Sequence, residues 1–181
     1  MSAGDEVLGF WFAEGRAAQW FAGGPAFDAE VRRALLPHLE AARAGRYESW
    51  RRAPRGCLAL VLLFDQVPRN VYRGSPRAFA CDGEALALTR HALKEGFDRA
   101  LSEVERMFLF LPLEHSEKLG DQQDCLRLMA ALESNREWLA YAQRHRDVIA
   151  RFGRFPHRNA ILGRESSDDE LDFLKQPKAS F

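Results

Sequence analysis

Eight consecutive apolar residues, Cys57 to Phe64, lie near the middle of the chain and follow Pro54. The run is apolar on every side, as in a helix buried on all faces, and Pro54 suits a first helical turn. A buried strand has a similar composition, but the sequence contains no second strand-like run to pair with it. The run therefore predicts a central buried helix.

The remaining apolar residues recur at helical spacing between Ser, Gly and Pro residues that mark helix ends. The predicted helices and their boundaries are a short helix after Asp5, Phe27 to Ala42 with a stop at Gly45, Ser75 to Glu95 with a stop at Gly96, Val104 to Leu111 with a Ser102/Glu105 capping box and limited by Pro112, one opened by Gly120 and Asp121, one from Ser134 to Gly153, and one capped by Ser167 and Glu170. About eight helices without a strand pattern predict an all-α fold of antiparallel helical hairpins. Because 181 residues contain no Ser/Gly/Pro-rich linker, we predict a single domain, residues 1–181.

Charge and cysteine usage limit the classes of function. The 26 basic and 26 acidic residues cancel, so neither nucleic acid nor a membrane surface is an expected partner. Arginine makes up 22 of the 26 basic residues, which the coding bias of a GC-rich genome explains as well as carboxylate pairing does. Cys57, Cys81 and Cys125 have no CxxC spacing, so we expect reduced, buried thiols and no structural metal.

No targeting signal is visible in the sequence. Met1 to Asp5 lacks a basic region followed by a long apolar stretch, and the run from Cys57 to Phe64 is far shorter than a membrane span. These features predict a soluble cytoplasmic protein of bacterial type.

Two segments, which we call the first motif (residues 64–74) and the second motif (residues 152–164), echo each other and contain most of the reactive side chains. Residues 64–74 read FDQVPRNVYRG and residues 152–164 read FGRFPHRNAILGR, so each supplies Pro, Arg, Asn and Gly in the same order. Each follows an apolar helical pattern, which predicts a helix end turned by proline. A third polar segment, PLEHSE at 112–117, contains Glu114, His115 and Glu117.

These three segments resemble the motifs of the bacterial domain-of-unknown-function family 924. The opening LGFWF at 8–12 and the Trp20–Phe21 pair are similar as well, so the resemblance covers nearly the whole chain. Val67 and Phe64 depart mildly from the family pattern, which usually has Phe and Leu there. The resemblance implies a tetratricopeptide-like helical fold and no established activity, so it assigns no site residue.

Side-chain chemistry favours an acidic small molecule or a peptide end as ligand. Guanidinium groups and amides hold carboxylates and phosphates by paired hydrogen bonds. The predicted ligand-binding residues are Arg69, Asn70, Arg73, Arg154, Arg158 and Asn159. The groups predicted to orient them from behind are Asp65, Glu117, Arg164 and Glu165. All of this requires the three segments to meet in one polar cluster.

Three alternatives remain open at this point. The same charges satisfy one another in a purely structural network of salt bridges and caps. An enzyme, hydrolase-like or metal-dependent, would use His115 or His157 with Glu114 as an acid/base pair, although the segment lacks the HExxH spacing of a metal site and we predict no metal or cofactor. An exposed patch of Phe10, Trp11, Phe12, Trp20 and Phe21 would instead bind a protein partner. For His145, on the apolar stripe of its helix, a neutral core histidine is expected.

Overall fold

The computed structural model of the chain describes residues 3–177 and 179. All regular structure in this part of the chain is helical, and no strand occurs in it. The α-helices are α1 (Ala3–Trp11), α2 (Pro25–Arg43), α3 (Pro54–Val61), α4 (Val67–Val71), α5 (Asp82–Lys94), α6 (Glu103–Glu114), α7 (Leu119–Met129), α8 (Arg136–Phe152) and α9 (Asp168–Leu174). A π-helical turn, Leu62–Gln66, joins α3 to α4 without a break, so the described residues form eight continuous helices. The all-α prediction is confirmed.

The contacts divide the described chain into two compact units. The first comprises residues 3–73 and 77–112, and the second comprises residues 74–76 and 113–177 with 179. That residues 1–181 fold as one domain stays a prediction. The antiparallel, tetratricopeptide-like packing of the hairpins also stays a prediction.

The central helix forms the core of the first unit. Every residue from Cys57 to Leu63 is at most 3% exposed, as the sequence predicts for a helix that is apolar on every side. Helices α1 and α5 pack against α3, and α2 packs against α4. None of the three cysteines forms a disulfide, and all three are buried, as expected.

Aromatic side chains of the first unit cluster around Phe108 of α6. The Phe108 ring centroid lies 4.9 Å from that of Trp20, 5.5 Å from Phe12 and 5.7 Å from Trp11. Trp11 is fully buried, whereas Phe21 stacks on Phe108 at 6.0 Å and stays 62% exposed. Of the N-terminal aromatic side chains, Trp11 is therefore part of the core, Phe12 and Trp20 are half-buried against Phe108, and a protein partner for this segment stays a prediction.

The second unit is built on α7 and α8, which pack against each other. Phe155 is fully buried and groups with Val148 and Ile149 of α8 in a small apolar core. Helix α9 packs against the 3-10 turn Pro156–Arg158 that follows Phe155. None of the helices within the described residues combines the length and the apolar character needed to span a bilayer.

Several helix ends lie where the sequence predicts them. Ser102 and Glu105 form a capping box, as do Ser167 and Glu170. Helix α8 ends at Gly153, whose φ of 69° is a left-handed conformation that favours glycine.

Three predicted boundaries are wrong. Helix α5 begins at Asp82 and not at Ser75, since Pro76–Phe79 form a 3-10 turn. Pro112 does not limit α6, which continues to Glu114 because proline removes a single donor and leaves the following turn intact. The N-cap of α8 is Asn135 and not Ser134, because the Asn135 carboxamide oxygen accepts from the Glu137 N–H at 2.8 Å.

Pro68 does not end a helix, contrary to the prediction from the sequence, because the helix continues through it to Val71. In an α-helix its ring would clash with the carbonyl of Phe64, four residues earlier. The preceding π turn, in which the Val67 N–H donates to the Leu62 carbonyl, widens the helix just before the ring. The first motif therefore turns after Tyr72, at Gly74 with φ 75°.

We expect Phe108→Ala to lower the free energy of unfolding by about 3–5 kcal/mol, because the ring has partners on several sides. Urea denaturation followed by circular dichroism measures the change. Phe21→Ala is the matched control, and its exposed ring should cost less than about 1 kcal/mol. Equal losses in the two variants would contradict the core role of Phe108.

Candidate functional site

Asp65 lies buried on the π turn of the first unit, with 1% of its surface exposed. Its Oδ2 accepts a hydrogen bond from Gln66 Nε2 at 2.6 Å, and its Oδ1 lies 3.3 Å from Arg69 Nη1. The two Nη atoms of Arg69 also donate to the two carboxylate oxygens of Asp82 at 2.7 and 3.0 Å. One guanidinium group therefore ties the π turn to the first residue of α5.

The other residues of the first motif make a second link, to α2. The Arg73 guanidinium donates from Nε and Nη2 to the Asp28 carboxylate at 2.7 and 2.8 Å. Asn70 is buried, donates to the Gln66 carbonyl at 2.9 Å and accepts from Arg73 at 3.3 Å. Arg69 and Arg73 thus each face a carboxylate of their own unit with paired hydrogen bonds.

In the second unit, Gln122 of α7 anchors residues 114–117, which we call the EHSE segment. Its Nε2 atom donates to the carbonyls of Glu114 at 2.6 Å and Ser116 at 2.7 Å, and lies 3.4 Å from the Leu113 carbonyl. These carbonyls lie at the C-terminal end of α6, where carbonyl groups lack partners within the helix. One amide group therefore caps α6 and fixes the backbone on both sides of His115.

Glu117 and Arg158 join the EHSE segment to the second motif. Glu117 accepts from the Phe155 N–H at 2.8 Å and from both Nη atoms of Arg164 at 2.7 and 3.0 Å. Burial raises the pKa of Glu117, but hydrogen bonds from Arg164 and Phe155 outweigh burial, so its pKa is lowered. Arg158 Nη1 donates to the His115 carbonyl at 3.0 Å. The sequence-predicted meeting of these two motifs is thus observed within the second unit.

Arg154 ties the second motif to α9. It donates to the two carboxylate oxygens of Glu170 at 2.6 and 2.7 Å and to the Glu165 carbonyl at 2.8 Å. Asn159 donates to Ser166 Oγ at 3.0 Å and to Glu170 at 3.3 Å. The hydrogen bond from Arg154, with that from Ser167, lowers the pKa of the buried Glu170 to about 2 despite its burial.

His145 of α8 is buried in the second unit. Its Nδ1 atom is 2.9 Å from the Tyr141 carbonyl and 3.5 Å from Glu114 Oε1, and its ring lies 5.5 Å from Phe155 and 6.4 Å from the ring of His115. Because a carbonyl only accepts hydrogen bonds, Nδ1 carries the ring proton. The expectation of a buried core histidine is confirmed.

Burial, together with nearby positive charge that includes Arg158, lowers the pKa of His145 from 6.5 to about 3, although the hydrogen bond to the Tyr141 carbonyl opposes the shift. Burial and then Arg158 lower the pKa of His157 from 6.5 to about 4. Both rings are therefore neutral at pH 7, next to a permanent positive charge.

The predicted site residues thus fall into two groups. Asp65, Arg69, Asn70 and Arg73 lie in the first unit, whereas the other predicted residues lie in the second. That all three motifs share one site stays a prediction. Among residues 3–177 and 179, no group of three or more His, Cys, Asp or Glu side chains is arranged to hold a metal ion.

Sequence reasoning missed Gln122, which the structure places at the centre of the EHSE contacts. The sequence contained a signal for this role, because Gln122, Cys125 and Met129 are spaced to lie on one face of a helix. In the structure all three are buried. It also missed Asp82 and Asp28, whose pairing with Arg69 and Arg73 spans distances along the chain that no local pattern reports.

We expect Arg69→Met to cost about 3–5 kcal/mol of unfolding free energy, because it leaves the buried Asp65 without its guanidinium neighbour. Arg55→Met is the control, since the Arg55 side chain is 60% exposed in its pair with Glu105 and should contribute less than about 1 kcal/mol. Urea titration at pH 7 measures both variants. Equal stabilities would show that the pairs of Arg69 are not structural.

We expect stability to fall as the pH is lowered from about 6.5 to about 4. In this window the unfolded chain protonates His145 and His157, whereas the folded chain keeps both rings neutral, so acid favours unfolding. Each histidine contributes a slope of about 1.4 kcal/mol per pH unit. Urea titrations at pH 7, 6 and 5 measure the slope, and His145→Asn should reduce it. An unchanged slope in this variant would contradict the neutral, buried state of His145.

Comparison with known proteins places the chain in a family. Residues 7–178 match the family model described as bacterial protein of unknown function (DUF924). The chain is 36% identical to a protein of unknown function from Agrobacterium tumefaciens whose structure is solved, with a TM-score of 0.90 over 96% of this chain and 97% of that one. None of the curated proteins matches this chain. By the extent of the family match, the chain belongs to the bacterial family of unknown function DUF924.

Proposed function

We propose that the second unit binds a small acidic molecule, or the acidic end of a peptide, at Arg158, with His115 and His157 beside it. The observation that carries the proposal is the fixed position of a buried guanidinium group. Arg158 is 6% exposed, donates to the His115 carbonyl at 3.0 Å, and lies with its guanidinium carbon 4.4 Å from the Phe155 ring centroid. A guanidinium group that is held in place before binding loses little freedom when a carboxylate or phosphate arrives.

The charges around Arg158 also support an anionic ligand. His145 and His157 remain neutral partly because the positive charge of Arg158 opposes their protonation. A bound anion would be attracted by the same positive charge, and attraction between charges is strong where water is excluded.

The neighbouring ion pairs act as supports in this proposal. Arg164 donates hydrogen bonds to Glu117 of the EHSE segment, and Arg154 donates hydrogen bonds to Glu170 of α9. Both use paired hydrogen bonds to carboxylates of the chain, which suits a structural role. Ligand binding by Arg69, Asn70, Arg73, Arg154 and Asn159 stays a prediction.

An enzymatic role for His157 receives less support. General acid/base catalysis is most effective when the pKa lies near the working pH, and burial with Arg158 lowers the pKa of His157 to about 4. A group with that pKa is a weak base at pH 7. The enzyme alternative, with His115 or His157 and Glu114, stays a hypothesis.

We expect at least one of three probes, inorganic phosphate, acetate and succinate, to raise the melting temperature of the protein. At ten times its Kd a ligand stabilises the folded state by about 1.4 kcal/mol. For a chain of this size, that is a shift of roughly 3–6 °C. A thermal-shift titration at constant ionic strength measures the effect.

Arg158→Gln should abolish the shift. The matched control is Arg151→Gln, since Arg151 also lies over a phenylalanine ring, at 4.6 Å from Phe152, but on the exposed side of α8. The control should respond like the unmodified protein. No response to any probe, or an equal response in the two variants, would refute the proposal.

A further inference from the structure

A segment with a strong excess of arginine begins at the last residue of α2. Residues 43–55 contain five arginines and a single acidic residue, Glu48, although the charges of the whole chain cancel. Arg43, Arg46 and Arg52 are exposed, and their guanidinium groups form no hydrogen bond or ion pair with any residue that the structure describes. We call these three residues the arginine patch. Their charges are therefore available to a partner molecule.

A rigid aromatic pair lies within the same segment. The rings of Tyr47 and Trp50 stack with their centroids 3.9 Å apart and their planes 5° from parallel. His38 Nδ1 lies 3.0 Å from the Tyr47 hydroxyl oxygen, which fixes that end of the tyrosine. Both aromatic residues are half-buried, so part of each stays accessible. Tyrosine, tryptophan and arginine contribute most of the binding energy at protein–protein interfaces, so the segment has the composition of a protein-binding surface.

Helix α9 carries the opposite charge. Residues 165–172 contain five acidic residues and no basic one. Glu170 is buried and accepts hydrogen bonds from Arg154, which fixes the inner side of the helix. The exposed residues of α9 are Asp168, Asp169, Leu171 and Asp172, which we call the acidic face.

The acidic face is also without strong partners in its own chain. Asp168 and Asp169 form no ion pair with any residue in the described part of the chain, and Asp172 pairs with Lys175, where both side chains are more than 70% exposed. Leu171 is 47% exposed between these carboxylates. An exposed ion pair contributes little, so even Asp172 can exchange its partner at low cost.

The arginine patch and the acidic face complement each other. Guanidinium groups bind carboxylates by paired hydrogen bonds, and the aromatic pair offers an apolar surface to the exposed leucine. The charges of the chain therefore cancel partly because a basic segment and an acidic segment of similar size oppose each other. The guanidinium groups of the patch are not used by carboxylates of the same chain, so a second copy can supply them. Two copies without net charge also do not repel each other.

We infer that copies of this chain associate through the arginine patch of one copy and the acidic face of the next. The guanidinium groups pair with the exposed carboxylates, while Tyr47 and Trp50 pack against Leu171. Because the contact joins two different surfaces, it forms a ring, an open chain or a dimer in which it occurs twice. The contact is separate from the proposed ligand site at Arg158.

Sedimentation equilibrium tests the inference through the effect of salt on molecular mass. Salt screens exposed charges, so the unmodified protein should associate at about 0.05 M salt, and the association should be at least tenfold weaker at about 0.5 M. A monomer at both salt concentrations, even at about 0.5 mM protein, would overturn the inference. Association that salt leaves unchanged would overturn it as well.

Charge reversal identifies the two surfaces. Arg46→Glu combined with Arg52→Glu should abolish self-association, and so should Asp169→Lys combined with Asp172→Lys, because each double variant places like charges in the contact. An equimolar mixture of the two double variants should associate again, since every contact between them joins opposite charges. The four side chains are exposed, and circular dichroism verifies that both variants fold. A mixture that remains monomeric would contradict the pairing of these two surfaces.

The matched control reverses two exposed arginines outside the patch. Arg33→Glu combined with Arg127→Glu changes the net charge by the same amount as the patch variant. Arg33 lies about three turns before Arg43 on α2, and Arg127 lies on α7. The control should associate within about twofold of the unmodified protein. An equal loss in the control and the patch variant would show an effect of net charge alone and would overturn the inference.

Discussion

The hydrogen bonds of Glu117 determine the arrangement of the second unit. This one carboxylate accepts from a backbone N–H and from a guanidinium group, and so connects the EHSE segment with Phe155 and Arg164. Its position depends on Gln122, which fixes the backbone just before it. The position of Arg158 depends on both, because the carbonyl that receives Arg158 belongs to the same segment. The proposed site is therefore only as rigid as these three contacts make it.

Local sequence signals predicted much of the fold. The apolar run at Cys57 to Phe64 identified the buried helix, and the two Ser-x-x-Glu patterns identified their capping boxes, because both signals act within one or two turns of helix. Proline was misjudged at Pro68 and Pro112, since its effect depends on the hydrogen bonds of the neighbouring turn. The π turn was not predicted, because no simple residue pattern indicates one.

The site was predicted in part. The sequence correctly brought the EHSE segment together with Arg158 and Arg164, because both segments are rich in polar groups that need partners. It did not identify the carboxylates that pair with Arg69, Arg73 and Arg154, because these lie 13, 45 and 16 residues away along the chain. The pairings also bear on the excess of arginine. A coding bias explains its frequency, but the bidentate geometry at these positions uses a feature that lysine lacks.

The π turn at Leu62–Gln66 has a consequence for how this helix tolerates changes in length. A π turn holds one residue more than an α-helical turn, so everything after it is rotated by about 100° relative to an uninterrupted helix. That rotation sets the direction in which Arg69 leaves the helix toward Asp82. Deleting a single residue here would regularise the backbone and yet turn the guanidinium away from its carboxylate. The π turn thus sets the rotation of all later residues about the helix axis. The Arg69–Asp82 ion pair therefore depends on the number of residues in this turn as much as on which residues they are.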